Sequence, residues 1–178
     1  MTNDVFPAAG TAADAPAPTA GGHEDPRWLD TEEQRAWRAY MNSWMLLADR
    51  LDRDLTRQTG ISHAYYEILV QLSEAPDRAL RMSQLADRSL SSRSRLSHAV
   101  SRLEERGWVR RQLCEDDGRG QLAVLTDEGF AALEAAAPIH VESVRVHLFD
   151  QLSPEQVAAM RDFGETLLRH LDPEISPS

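Results

Sequence analysis

Apolar residues recur every three or four positions through Trp37, Tyr40, Met41, Trp44, Leu47, Ala48, Leu51 and Leu55, and the run stops at Thr59-Gly60. That spacing keeps them on one face of a long helix. Its start falls near Asp30 or Thr31. Thr31 with Gln34 has the spacing of a capping box, and Glu32 and Glu33 complement the positive end of the helix dipole. A second helix follows, with Ser62 as N-cap and Ile61 and Tyr66 as a hydrophobic staple. Tyr65, Leu69 and Leu72 form its buried face, and it ends before Pro76-Asp77. A short third helix is capped by Ser83, buries Leu85 and Ala86, and breaks at Ser89-Leu90. A fourth runs from about Ser91, its N-cap, to Arg106. Leu96, Ala99, Val100 and Leu103 make its narrow apolar stripe, and Gly107 suits a left-handed stop.

Two strands come next, from Trp108 to Leu113 and from Gln121 to Leu125. Asp117-Gly118 between them is a tight-turn signal, so the pair reads as a hairpin with Arg119 near its tip. A fifth helix starts at Thr126, carries Asp127 and Glu128 in its first turn, and lines up Phe130, Leu133, Ala137, Val141, Val144 and Leu148. Pro138 inside it predicts a kink. The sixth has a strong start signal: Ser153 caps, Pro154 takes the first helical position, Gln156 completes a capping box, and Leu152 staples to Val157. It runs to about His170, before Pro173.

The polar side of the fourth helix carries the candidate chemistry. Ser92, Arg93, Ser94, Arg95, Ser97, His98, Ser101 and Arg102 lie there, with no carboxylate before Glu104. Short hydroxyls and long guanidiniums donate hydrogen bonds to phosphate oxygens and to guanine edges. A short helix, a brief turn and such a helix form a helix-turn-helix, and the hairpin adds a wing. A lone arginine on a narrow ribbon suits the narrow, negative minor groove of A·T-rich DNA.

Charge at first argues otherwise, because the 178-residue chain carries a formal net charge of −10. Its distribution reverses the inference. From Arg78 to Arg119 there are ten arginines against six carboxylates, a net of +4, leaving −14 on the rest. A basic patch on an acidic body binds DNA locally without indiscriminate sticking. Cys114 is the single cysteine, so no internal disulfide forms, and its acidic neighbours disfavour a reactive thiolate. No HExxH, phosphate-binding glycine loop or nucleophile elbow occurs, and His140 and His147 have no partnering motif. Neither an enzyme nor a bound cofactor or metal is expected. No secretory signal or membrane-length apolar run is found, which points to the cytoplasm.

The expected fold is mainly α with a small β wing. Residues 1–26, rich in Ala, Pro, Gly and Thr, form a disordered arm. Residues 27–60 hold the first dimerisation helix, 61–126 the winged helix-turn-helix, 127–172 the C-terminal dimerisation helices, and 173–178 a tail. The first half of the long helix and the two last helices each have an apolar face that one small domain cannot cover. A two-fold homodimer built from these ends is the economical solution.

This layout resembles the MarR family of bacterial transcription regulators. Asp117-Gly118-Arg119-Gly120, followed by Leu122-Ala123-Val124-Leu125-Thr126 and Gly129, is similar to the family's DxRG…LT..G wing signature. Leu103 to Arg111 resembles its helix-to-strand junction, and Ser83-Gln84-Leu85-Ala86 its third-helix signature. The resemblance covers about Asp30 to Leu171. It implies an obligate homodimer on a pseudo-palindromic operator, usually a repressor, often released by a small aromatic or phenolic effector. It places Arg119 in the minor groove and positions Ser92 to His98 in the major groove. His98 departs from the pattern, since relatives often carry Arg there. A neutral imidazole makes one directional bond where Arg makes two.

In the resulting scheme Ser92, Ser94 and Arg102, with Ser83, contact phosphates, while Arg93, Arg95, Ser97 and His98 sample base edges. Met41, Trp44, His63 and Tyr66 are weak candidates for an effector cleft; the alternative is that they are core and rim residues. The competing function is a winged-helix module for protein–protein contact, which has no need of a serine- and arginine-rich exposed face.

Overall fold

The computed structural model describes residues 26–89, 92–114 and 120–172. The chain forms two units that divide between Leu46 and Leu47. Helix α1, Thr31–Thr59, begins in the first. Its cap lies one residue earlier than the sequence suggests. Asp30 Oδ1 accepts from the Glu33 amide, and Glu33 Oε2 accepts from the Asp30 amide, both at 2.8 Å. Asp30 and Glu33 therefore make the reciprocal box, and Gln34 instead donates to the Leu29 carbonyl. In this unit Trp28, Trp37, Tyr40, Trp44, Met45 and Leu46 are exposed.

The second unit holds the rest: α2 (His63–Ser73), β1 (Ala79–Arg81), α3 (Met82–Arg88), α4 (Arg93–Glu105), β2 (Val109–Leu113), β3 (Gln121–Leu125), α5 (Asp127–His147) and α6 (Pro154–Leu171). The antiparallel sheet has the order β1-β3-β2. Strand β1 was not foreseen. Three residues are too few for a period-2 pattern to show, and only Leu80 points inward. A turn over Pro76–Arg78 precedes it, with Asp77 and Arg78 both at φ 53°. The strand also moves the start of α3. The chain is still extended at Arg81, so Arg81 is the N-cap and Gln84 Oε1 accepts from its amide at 3.2 Å. Ser83, expected as the cap, sits inside the first turn.

Similarly, α4 is capped by Ser92, whose Oγ accepts from the Arg95 amide at 3.3 Å; Ser91, the expected cap, lies outside the described residues. So does 115–119, which contains the wing tip and Arg119, together with the arm through residue 25 and the tail from residue 173. Helices α2 and α6 start where their capping signals place them, at Ser62 and Ser153.

The core gathers Leu55, Leu69, Leu72, Leu85, Leu96, Val100, Leu103, Ala123 and Leu125. Each such leucine contributes about 1.5–3 kcal/mol on burial. Helix α5 is continuous through Pro138, but its buried stripe matches the expected one only in part. Val141 is exposed, whereas Leu133, Ala136 and Ser143 are buried. Positions 133, 136, 140, 143 and 147 share one face, and three of them are polar. Ser143 and His147 bond to Asp54 Oδ2 of α1, at 3.1 and 2.8 Å. An apolar count along the helix therefore finds Phe130 and Leu133 but misses the polar half of the inner face.

A hydrogen-bonded corner joins α4, the sheet and α5. Gly107, at φ +73°, ends α4. Thr126 Oγ1 donates to the Gly107 carbonyl at 2.7 Å and accepts from the Gly129 amide at 3.0 Å. A Cβ on Gly129 would stand 2.1 Å from the Trp108 carbonyl oxygen. Gly129→Ala must therefore push α5 off the start of β2. It should lower unfolding free energy by about 1–3 kcal/mol in urea titration. An unchanged midpoint would show that the corner yields freely.

Candidate nucleic-acid interface

Burial of Leu96, Val100 and Leu103, none more than 1% exposed, sets the rotation of α4 about its axis. The opposite face then leaves Ser92, Arg93, Ser94, Arg95, Ser97, His98 and Arg102 exposed. Their states differ. Ser92 Oγ already accepts the cap bond. Arg102 pairs with Glu105 at 2.8 Å, which raises its pKa further, but both side chains are more than 60% exposed. Such a solvated pair is weak and opens readily to a phosphate. Ser83, from the first turn of α3, is exposed as well.

The fold brings part of this set together. A cavity of about 390 Å³ is lined by Arg81, Met82, Ser83, Arg93, Ser97, Gly120 and Gln121. Strand β1 delivers Arg81 and Met82 to it, and the start of β3 delivers Gly120 and Gln121. Reading the sequence missed Arg81 and Gln121, because only the pairing of β1 with β3 sets them beside α4.

It also missed what Arg111 does. From β2 its guanidinium reaches back to α4. Nη1 donates to Glu104 Oε2 at 2.5 Å and to Ser101 Oγ at 3.2 Å; Nη2 donates to Ser101 Oγ at 3.1 Å, to the Ser97 carbonyl at 2.9 Å and to Ser97 Oγ at 3.3 Å. The Arg111 amide donates to Glu104 Oε1 at 2.9 Å. The two side chains are 23% and 29% exposed, so this pair is shielded as Arg102–Glu105 is not. The signal was the Arg beside a strand start seven residues after a helical Glu.

Of the four effector candidates, His63 and Tyr66 come together. Their rings lie tilted against His140 of α5, with centroids 5.3 Å apart for His63–His140 and 4.6 Å for Tyr66–His140. Tyr66 is buried, which raises its pKa, and Glu67 raises it further. Met41 is half-buried and Trp44 exposed, both in the first unit. A cavity of about 450 Å³ between the second half of α1 and α5 is lined by Asp54, Arg50, Arg57, Ser143 and His147 among others, and by none of the four. There the His147 hydrogen bond is the main cause that holds the Asp54 carboxyl below its ordinary range; burial opposes it, and Ser143 and Arg50 add smaller lowering effects. Among the described residues no cluster of His, Cys, Asp and Glu could hold a metal, and no helix is long and apolar enough to cross a membrane.

Helices α3 and α4 with the β2–β3 ribbon beside them define a winged helix-turn-helix protein. The family model described as MarR family matches residues 54–120. The HTH-type transcriptional regulator PecS of Dickeya dadantii is 32% identical over 128 residues, which is 71% of this chain and 76% of PecS. Sco3205, a MarR family transcriptional regulator from Streptomyces coelicolor solved in complex with DNA, superposes with a TM-score of 0.79 at 49% identity, over 85% of this chain and 95% of that one. AbsC, another MarR family regulator of Streptomyces coelicolor, gives 0.76 at 41% identity, over 84% and 100%. The chain belongs to the MarR family of transcription regulators.

One pH dependence follows from the aromatic cluster. His140 Nδ1 is buried and has no hydrogen-bond partner among the described residues. Burial, then the neighbouring His63, lower the His140 pKa, while Glu67 opposes them weakly. The unfolded chain therefore binds a proton that the folded one resists. Stability should be intact above about pH 6.5 and fall as pH drops from there toward the lower folded-state value. Urea titrations of His140→Gln should show a flatter profile in that window. An equal slope in wild type and variant would count against this assignment.

Proposed function

We propose that this MarR-family regulator binds duplex DNA as a homodimer and represses transcription from a pseudo-palindromic operator. The observation that carries the proposal is the exposed face of α4, rich in serine and arginine and without a carboxylate until Glu104. In the proposed mode α4 enters the major groove, which admits a helix and displays a distinct donor and acceptor pattern for each base pair. Ser83, Ser92, Ser94 and Arg102 dock on phosphates. Arg93, Arg95, Ser97 and His98 sample base edges. Arg119 inserts from the wing into the minor groove.

Dimerisation through the terminal helices is supported by the apolar surface they leave uncovered. No residue of α6 is buried, and Met160, Phe163, Leu168 and Leu171 are exposed along it. The first half of α1 exposes Trp37, Tyr40 and Trp44 in its own unit. A second copy of the chain covering these faces would set two α4 helices about one turn, roughly 10 bp, apart. A small aromatic or phenolic effector is proposed to favour one dimer geometry over another, with His63 and Tyr66 as candidate contacts in the second unit and Met41 and Trp44 as separate candidates in the first. A differential of about 1–3 kcal/mol between the two geometries suffices for such control.

A gel shift on DNA from upstream of the chain's own gene tests the proposal. A competed, sequence-specific shift is expected; binding no tighter than to random duplex would refute it. Arg119→Ala should weaken binding and reduce the slope of log K against log salt by about 1 per protomer. An unchanged slope would remove Arg119 from the interface. In sedimentation the wild type should be a dimer, and Phe163→Glu with Leu168→Glu should yield a folded monomer. A monomeric wild type at micromolar concentration would exclude the proposed assembly.

A further inference from the structure

The bonds around Arg111 bear on which bases α4 prefers, given the proposed placement of that helix in the major groove. A guanidinium has only donors and keeps its proton at any physiological pH. Every oxygen it touches must accept. Ser101 Oγ accepts from both Nη1 and Nη2 of Arg111, and it donates its single proton to the Ser97 carbonyl at 3.0 Å. That hydroxyl is saturated and half-buried. Ser97 Oγ is exposed and also accepts from Arg111, at 3.3 Å. One of its two lone pairs is engaged, and its proton remains for an outside partner. Glu104 balances the Arg111 charge with two contacts, one to the guanidinium and one to the amide.

From this geometry we infer that Arg111 is a specificity-positioning residue: by occupying one lone pair of Ser97 beside a fixed positive charge it biases that hydroxyl toward donating to DNA, and it silences Ser101. A serine hydroxyl ordinarily serves either way and discriminates little. Biased toward donation, Ser97 favours bases that present acceptors in the major groove, namely guanine N7 and O6, adenine N7 and thymine O4. It offers the amino groups of cytosine N4 and adenine N6 only its one remaining lone pair. Arg111 itself touches no DNA in this scheme, because Glu104 and the two serines engage both its Nη1 and Nη2 groups. Strand β2 thereby controls a base contact made from α4, and any shift of the wing against α4 alters that contact.

Selection from a randomised duplex library tests this directly, using wild type, Ser97→Ala, Ser101→Ala, Arg111→Met and the Ser97→Ala/Arg111→Met double variant. Wild type should enrich an inverted repeat. Ser97→Ala should relax one position in each half-site by about three- to tenfold. Arg111→Met should relax that same position by a similar factor, the double variant should do no more than either, and Ser101→Ala should leave it unchanged. The salt slope of Arg111→Met should equal that of wild type. Relaxation at different positions, multiplication of the two effects, uniform weakening across all sequences, or a slope reduced by about 1 per protomer would overturn the inference. Should Arg111→Met fail to fold, Arg111→Lys serves the same comparison. It keeps the charge beside Glu104 but replaces the fork by one ammonium, and it should relax the same position. A wild type that enriches no sequence defeats DNA reading as a whole and this inference with it. A wild type that enriches a site whose preferences Ser97→Ala leaves intact defeats the inference alone.

Discussion

A helix that must bury Leu96, Val100 and Leu103 has one rotation available to it, and that rotation decides what it shows to the outside. Each of these side chains loses roughly 1.5–3 kcal/mol if it turns toward water. Turning α4 by a third of a revolution would expose the stripe and bury arginines without partners. The apolar stripe therefore aims the serines and arginines, although it touches nothing but the core. Everything attached to α4 takes its position from this: α3 packs across it, Gly107 ends it, and β2 returns along its side.

Electrostatics then divides the arginines into two kinds. Those on the outer face of α4 stand in solvent, where ion pairs such as Arg102–Glu105 are screened and easily exchanged. Arg111 is shielded and bonded to a carboxylate, two hydroxyls and a carbonyl. It behaves as a structural strut. The chain carries an overall charge of −10, so the exposed face of α4, with Arg93, Arg95 and Arg102, is cationic by placement and not by composition. The second half of α1 is tied to α5 through Asp54, His147 and Ser143, and to α2 through the 2.8 Å bond from the His63 amide to Asp52. Polar ties of this kind fix geometry at little net cost when every partner is satisfied.

Elements with strong local signals were legible in the sequence. Helices α2, α4 and α6 and the β2–β3 pair follow from apolar periodicity, capping residues and turn residues that act within a few positions. What could not be read depends on distant partners. Strand β1 exists because β3 offers it a ladder, and it displaces the α3 cap from Ser83 to Arg81. The α5 stripe was legible at Phe130 and Leu133 but not beyond, because its inner face uses Ser143 and His147 to meet Asp54, a contact 89 and 93 residues away. The α1 cap slipped by one residue because Asp30–Glu33 and Thr31–Gln34 have the same spacing and the carboxylates bond more strongly. For the site, periodicity revealed the exposed face of α4. It did not reveal Arg111, whose partners are assembled only when β2 folds back.

Guanine N7 faces the major groove, and methylating it blocks a donor approaching from that side. Methylation interference on the DNA upstream of the chain's own gene therefore tests most directly whether α4 reads bases. Two clusters of interfering guanines about one helical turn apart, roughly 10 bp, are predicted. Binding that tolerates N7 methylation at every guanine of a bound fragment would contradict major-groove reading by α4.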